Sequence, residues 1–430
     1  MIDTKLLLDD FEATARKLAR KGVDPALPEE ARRLGDERRQ RVQEVDSARH
    51  QLKAVSSGIG ALMREGRKAE AERAKSEAGE LSARLEVLES GLRDVEARLE
   101  DVVLRLPNLP ADDVPDGKTD ADNVVLRTVG YDPDAYEGRT WVPHWDIGER
   151  LGILDSERAA KLSGAMFAVV KGDGARLLRG LTSLALDIHR DSYEEIIPPH
   201  VVRTEVITGT GHLTKFDTQA YRLRDDELWL IPTGEVALMG LHQGEILAEA
   251  DLPRRYMAYT VCWRREAGAA GKETRGLQRL HEFHKVELVK LCRPEDSEDE
   301  FRSLVADAAR PLEMLRLPYR VVELCSGDLT FSAARVYDLE VYSPGVDKWL
   351  EVSSISLVTD FQSRRGQIRF RRDGGGVEFV HALNGSGLAT PRVWAAVVEH
   401  GLQPDGSVRL PEALVPYAGT DVIQARTEGE

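Results

Sequence analysis

Cysteine is scarce: three in 430 residues, at 262, 292 and 325, with no close spacing. That argues against a disulfide framework and against a zinc cluster. No apolar run approaches the roughly 18 residues that cross a bilayer. The opening MIDTKLLLDDFEAT has an acidic flank, a very short apolar run and no small-residue cleavage site, so it does not read as a targeting segment. A cytoplasmic protein with no membrane association is expected. Neither GxGxxG nor GxxxxGK[ST] occurs, which removes the Rossmann and P-loop nucleotide sites. Positive charge is also short, 59 Lys and Arg against 74 Asp and Glu, a net −15. At first sight this disfavours a polyanion partner. With 42% hydrophobic residues, the chain can build one large core or two to three domains.

The charge is segregated, however, and a net figure hides that. Residues 31–68 carry ten Lys and Arg against five acids, and residues 69–106 carry six against ten. The same region has the strongest period in the chain. Ala71, Ala74, Ala78, Leu81, Leu85, Leu88, Leu92, Val95, Leu99, Val102 and Leu106 step by three and four without a break. This is the a/d seam of a long helix. Val45, Ala48, Leu52, Val55, Ile59 and Leu62 obey the same rule, with Arg38 and Arg41 at seam positions upstream. MREGRK (63–68) between them is polar and short enough only for a tight reversal. An antiparallel two-helix hairpin over about 31–106 follows, with arms on the order of 50 Å. Period alone serves equally a dimerisation coiled coil or a helix pair packed on its own domain. The basic first helix and tip favour an arm that contacts phosphates, through Arg38, Arg41, Arg49, Lys53, Arg64, Arg67 and Lys68.

Three prolines and a run of acids in LPNLPADDVPDGKTDADN (106–123) end the period and predict a linker over 109–123. Beyond it, ARLLRGLTSLALDIHRD (175–191) places Leu177, Leu181, Leu184 and Ile188 on one helical face. YEEIIPPHVV offers a short strand broken by Pro198 and Pro199. LWLIPTGEVAL, YMAYTVCWRRE, EFHKVELVKL, YRVVELC, YDLEVYS, KWLEVSSISL and VEFVHAL all read as strands with partial alternation, and VWAAVVEH as a late helix. The fold class is α+β: an antiparallel sheet flanked by helices, with the helical arm in front.

One stretch asks for a ligand. WRREAGAAGKETRGLQRLHEF (263–283) has two arginines and a glutamate at one end, a phenylalanine at the other and a Gly-rich, charged loop between. Two neighbouring strands joined by that loop would bring Arg264 and Phe283 together. A guanidinium binds phosphate or carboxylate in bidentate fashion, and the ring can stack on a base. On one strand, positions 283, 285 and 287 share a face, so Phe283 and Glu287 would point into one cleft.

These blocks, with GTGHLTKF (209–216), IPTGEV (231–236), HEFHKVELV, LEVSSIS and LNGSGLATPR in order, resemble the class II aminoacyl-tRNA synthetases, specifically the bacterial-type seryl-tRNA synthetases, over nearly the whole chain. The resemblance implies a tRNA-binding domain over 1–108 and a class II catalytic domain over 124–430. It implies ATP-dependent activation of L-serine and its transfer to tRNA(Ser), and extends to tRNA(Sec). Helix 176–190 with the strand ending at Pro199 would be motif 1, at a homodimer interface, with Ser192 where glycine is usual. Arg264 would hold the α-phosphate and the substrate carboxylate. Glu266 would accept from the adenine amino group and Phe283 would stack on the ring, with Arg265, Val352 and Ser353 also against ATP. Glu351 and Ser354 would hold Mg²⁺ and phosphates, and Arg392 the γ-phosphate. Thr233, Glu235 and Glu287 would contact the serine amino group and hydroxyl, and Asn384 with Ser386 the side chain. Arg264, Arg392 and Glu351 would carry the catalysis.

Several positions depart from the family's usual pattern: Gly234 for Ala, Arg265 for Ser, Glu282 for Gln, Ile355 and Leu357 for Cys and Asn, Ala382 for Thr. A second gene copy that resists a serine-mimicking antibiotic, or supplies seryl-tRNA to a biosynthetic pathway, fits these departures. So does ordinary drift.

Overall fold

The computed structural model describes residues 1–138, 140–213, 217–267 and 275–425. Residues 214–216 of GTGHLTKF and 268–274 of the loop after Glu266 therefore lie outside the described residues. The chain divides into two compact units, Ile2–Pro107 and Asn108–Glu430 with Met1.

In the first unit, Thr4–Asp9 and Phe11–Arg20 precede two long helices, Ala26–Arg64 and Lys68–Arg105. The two pack on each other along the expected seam. Val45, Ala48, Ala71, Val95, Leu99 and Val102 are buried, and the seam positions between them are half-buried. The reversal takes three residues, with Gly66 at φ 74°, where a Cβ would be strained. Arg38 donates to Glu96 at 3.0 Å and Arg49 to Glu89 at 2.7 Å, both across the hairpin. Arg67 pairs with Glu65 and Glu70 at the tip. The basic first helix thus meets the acidic second helix directly.

The second unit is built on one sheet. Its strands, in chain order, are β1 (Val124–Val129), β2 (Glu194–Glu195), β3 (Arg254–Trp263), β4 (Glu282–Cys292), β5 (Tyr319–Glu323), β6 (Arg335–Ser343), β7 (Lys348–Thr359) and β8 (His381–Ala389). They lie in the order β1-β5-β6-β7-β8-β4-β3-β2. All neighbours are antiparallel except the edge pair β2 and β3. Helices Asp173–His189, Ser297–Met314 and Thr390–Gly401 pack on the sheet and on one another. Alternation sets the two faces. Val286 and Leu288 join Leu304, Phe301 and Trp394 in the core, whereas Phe283, Lys285 and Glu287 from the same strand line a cleft.

Two strand readings need correction. LWLIPTGEVAL is strand only at Leu228–Leu230, and Gly234–Gly240 is a helix capped by Thr233, whose side chain accepts the Glu235 amide at 3.4 Å. A short apolar run buried on all sides has no exposed face to reveal its period. VEFVHAL splits, with Val377–Phe379 in a separate three-stranded sheet and His381 opening β8. Helix Ser297–Met314, which strand alternation did not suggest, covers β7 and β8 with Phe301, Leu304, Ala308 and Leu312 buried. The 109–123 stretch runs along the second unit: the Ala111 amide donates to the Ala334 carbonyl at 2.9 Å, and Val114 packs on Leu324, Leu329 and Val336.

All six tryptophans lie between positions 141 and 394, within the second unit, so tryptophan fluorescence follows that unit's unfolding. Leu304 is fully buried between helix and sheet. Leu304→Ala is expected to cost about 2–5 kcal/mol, read as a lower urea midpoint in that signal. A midpoint equal to wild type would show that the helix does not brace the sheet.

Candidate active site

A cavity of about 320 Å³ opens on the polar face of the sheet. Arg264 at the end of β3, Phe283 and Glu287 on β4, Glu351, Val352 and Ser354 on β7, and Asn384 and Ser386 on β8 all line it, with Thr233, Glu235, Glu266 and Arg392. A second cavity of about 480 Å³ shares His212, Arg264, Glu266, Arg279, Thr330 and Ser332 with the first. Together they have the extent of a site for a nucleotide plus a small second substrate.

At one end the Arg264 guanidinium lies 5.1 Å from the centre of the Phe283 ring, a cation–π contact. Its Nε donates to the Pro232 carbonyl at 3.2 Å, which fixes the fork. The register Cys262↔Phe283 and Trp263↔Glu282 brings the two residues together across β3 and β4. Glu266, at φ 48°, accepts from Arg279 Nε at 2.5 Å. Arg392, in the first turn of its helix, donates from Nε to the Gln278 carbonyl at 3.0 Å and from a terminal nitrogen to the Glu351 carbonyl at 2.5 Å. Segment 275–280 is fastened from behind. The buried His144 accepts the Leu277 amide on Nε2 at 2.9 Å, so the proton sits on Nδ1, which donates to Glu399 at 2.8 Å. Gly276 is required there, since an added Cβ would fall 2.2 Å from His144 Nε2.

At the other end lie two carboxylates, Glu287 at 2% exposure and Glu235 at 6%. Thr233 Oγ1 donates to Glu287 Oε2 at 2.9 Å, and Lys285 forms an ion pair with the same oxygen. Gln362 Nε2 and Asn384 Nδ2 both donate to Glu235 Oε1, at 2.6 and 2.7 Å. Burial pushes both carboxyls up, and for Glu287 the Lys285 ammonium pulls back. Burial, with Arg264 and Lys285 adding, drives His212 down to about 3, so its ring stays neutral near pH 7.

Two of the expected ligand-facing residues are elsewhere. Arg265 does not line the cavity, and its amide donates to the Gln219 carbonyl at 2.8 Å. Ser353 points the other way along β7 and donates to the Ser386 carbonyl at 2.7 Å. The seven arm cations belong to the other unit. Lys285, His212, Gln278, Arg279 and Gln362 were not foreseen. Only Lys285 had a legible signal, its parity with Phe283 and Glu287.

An antiparallel sheet with an arginine–aromatic clamp at one end of a cleft and buried carboxylates at the other defines a class II aminoacyl-tRNA synthetase core. Residues 216–401 match the class II core domain of the G, H, P, S and T synthetases, and residues 1–110 the seryl-tRNA synthetase N-terminal domain. The chain is 48% identical to a serine–tRNA ligase of Pelotomaculum thermopropionicum, over 97% of this chain and 99% of that one. It is 47% identical to that of Bacillus subtilis, over 97% and 98%. Seryl-tRNA synthetase from Pyrococcus horikoshii, solved in complex with ATP, superposes with a TM-score of 0.93 at 34% identity, covering 99% of this chain and all of that one. The chain belongs to the seryl-tRNA synthetase family.

Gly234 leaves no room for a side chain. An added Cβ would lie 2.9 Å from Glu287 Cβ and 3.2 Å from Thr260 Oγ1, so the strand residue would have to move. Gly234→Ala is expected to cost about 1–3 kcal/mol through overpacking, measured by the same urea titration. Wild-type stability would mean that Glu287 yields without cost.

Proposed function

We propose that the protein is an ATP-dependent serine–tRNA ligase that forms seryl-adenylate and passes the seryl group to tRNA(Ser). The observation that carries this reading is the placement of the Arg264–Phe283 clamp and the Thr233–Glu287 pair in one cavity. The adenine stacks on Phe283, with Glu266 accepting from its amino group. Arg264 spans the α-phosphate and the serine carboxylate, and Arg392 holds the γ-phosphate. The carboxylate attacks the α-phosphorus in line and pyrophosphate leaves. A ribose hydroxyl at the tRNA 3′ end then attacks the seryl carbonyl and AMP leaves. No covalent enzyme intermediate is needed, and positioning with charge neutralisation supplies most of the rate. Glu287, Glu235 and Thr233 hold the ammonium, and the hydroxyl is read by Glu287, Ser386 and Asn384. A site built to bond that hydroxyl rejects alanine by up to ~10⁴–10⁵, because its buried polar groups would be left unpaired.

The donor set fits Mg²⁺. Glu351 and Ser354 offer hard oxygens on one stretch of β7, and Asp338, paired with Ser354 in register, has a buried Oδ1 with no hydrogen-bond partner. No cluster of three or more His, Cys, Asp or Glu that could hold a metal occurs among the described residues, and phosphate oxygens would have to complete the shell. When bound at Glu351 and Ser354, the ion would neutralise phosphate charge. Several further features belong to the same reading. Ile197, 88% exposed beside β2, supports a homodimer through the motif 1 region. A cytoplasmic site of action is part of it, and no helix among the described residues is long and apolar enough to cross a membrane. tRNA(Sec) is included as a substrate, and a specialised second copy, resistant to serine mimics or feeding a biosynthetic pathway, accommodates Gly234 and the other departures.

Amino-acid-dependent ATP–pyrophosphate exchange across serine, threonine, alanine and cysteine tests the first half. Exchange with serine is expected, and Arg264→Lys should lower its kcat/KM by about 10²–10³ because the bidentate fork is lost. No exchange with any amino acid would point to a scaffold, and exchange without tRNA charging to a carrier-protein loader. The arm is tested separately. A variant lacking residues 31–106 should retain serine activation but charge tRNA poorly, and normal charging would remove the arm from the reaction.

A further inference from the structure

Lys285 is a lysine at 6% exposure, in the wall of the cavity, with no part in the reaction as derived above. Its surroundings are specific. Nζ donates to Thr233 Oγ1 at 2.7 Å and pairs with Glu287 Oε2, while Thr233 Oγ1 donates to that same Glu287 oxygen. Three groups close a ring, and Thr233 Oγ1 also accepts the Glu235 amide at 3.4 Å, so its two lone pairs and its proton are all used. The ammonium therefore bonds the two side chains expected to receive the ammonium of the amino acid. Among the described residues, the charged or titratable groups facing this ring are Glu235 on the capped helix, His212, Cys262 on β3, Arg264 just beyond it, and Lys285 and Glu287 on β4.

We propose that Lys285 is a positioning residue, a built-in counter-cation that keeps the Thr233–Glu287 anchor ionised and oriented while no amino acid is bound. The inference rests on the assignment of this cavity to serine and deepens it. Without a cation, a carboxylate at 2% exposure takes up a proton and turns from acceptor to donor, the wrong partner for an entering ammonium. With Lys285 in place, binding exchanges one ammonium partner for another rather than requiring a deprotonation. Affinity for the amino acid is then set by geometry and not by the proton concentration of the medium.

The test is the KM for serine in ATP–pyrophosphate exchange between pH 6 and 8, for wild type, Lys285→Met and Lys285→Arg. Glu287 must be ionised to bind, and its pKa in Lys285→Met is raised. The sign follows: binding in Lys285→Met weakens as pH falls below the raised pKa, with KM climbing by at most about tenfold per unit for one proton. Wild type should vary less than about threefold, and Lys285→Arg, which restores the charge, should flatten the profile again at a higher KM. Saturating serine should recover much of the turnover of Lys285→Met at pH 6, which a merely loosened core would not do. A Lys285→Met profile parallel to wild type, or a Lys285→Arg profile as steep as that of Lys285→Met, overturns the proposal. If Lys285→Met fails to fold by circular dichroism, Lys285→Gln replaces it with the same expected slope. Absence of serine-dependent exchange in wild type would instead sink the serine assignment itself, so the two failures are distinguishable.

Discussion

Two carboxylates buried at the floor of one cleft constrain everything around them. An uncompensated charge at the depth of Glu235 or Glu287 would cost more than a domain's margin of stability. The fold answers with donors drawn from distant parts of the chain: Thr233 from a helix cap, Asn384 from β8, Gln362 from a short helix after β7, Lys285 from β4 itself. Those donors converge because the sheet is rigid and its strands are in fixed register. Ser386 pairs with Glu287 across β8 and β4, and Ala258 with Glu287 across β3 and β4. A one-residue slip of β4 would put Val286 and Leu288 in the cleft and the carboxylate in the apolar core.

The opposite end of the cleft depends less on the sheet and more on how loops are tied. Arg279 and Gln278 reach the cavity from the return of the long loop after Glu266, and that return is held by a neutral histidine bonded on both ring nitrogens. The nucleotide end therefore combines a fixed ring and guanidinium on strands with acceptors and donors on a fastened strap. The carboxylates and donors of the amino-acid end sit on strands, helices and one helix cap. This division suits a site that must admit a large nucleotide yet judge a small side chain closely.

Period and alternation carried most of the architecture. The arm seam from Ala71 to Leu106 was legible because one narrow stripe is buried and the rest is solvated, a contrast any long helix pair must show. β4 was legible because one of its faces is apolar and the other polar. Gly234–Gly240 was not, because all its sides are buried, and helix Ser297–Met314 went unread amid strand patterns. In the cleft, Arg264, Phe283, Glu287 and Glu351 were placed by resemblance and parity. Gln362 and His212 had no local signature at all, since their partners lie far off in sequence. Arg265, just beyond the end of β3, and Ser353, which bonds the Ser386 carbonyl, do not line the cavity, although each is contiguous in sequence with residues that do.

The glutamates opposite the arm's arginines have a consequence for what the arm can recognise. Each exposed pair is worth well under about 1 kcal/mol, so a phosphate can take the place of Glu96 at Arg38 or of Glu89 at Arg49. A solitary anion gains almost nothing by that swap, because it trades one weak contact for another. A ligand presenting phosphates at regular intervals gains at several positions at once and releases its counterions as it does so. On the proposed reading, an arm built this way would respond to the length of a phosphate polymer and little to free nucleotides or inorganic phosphate.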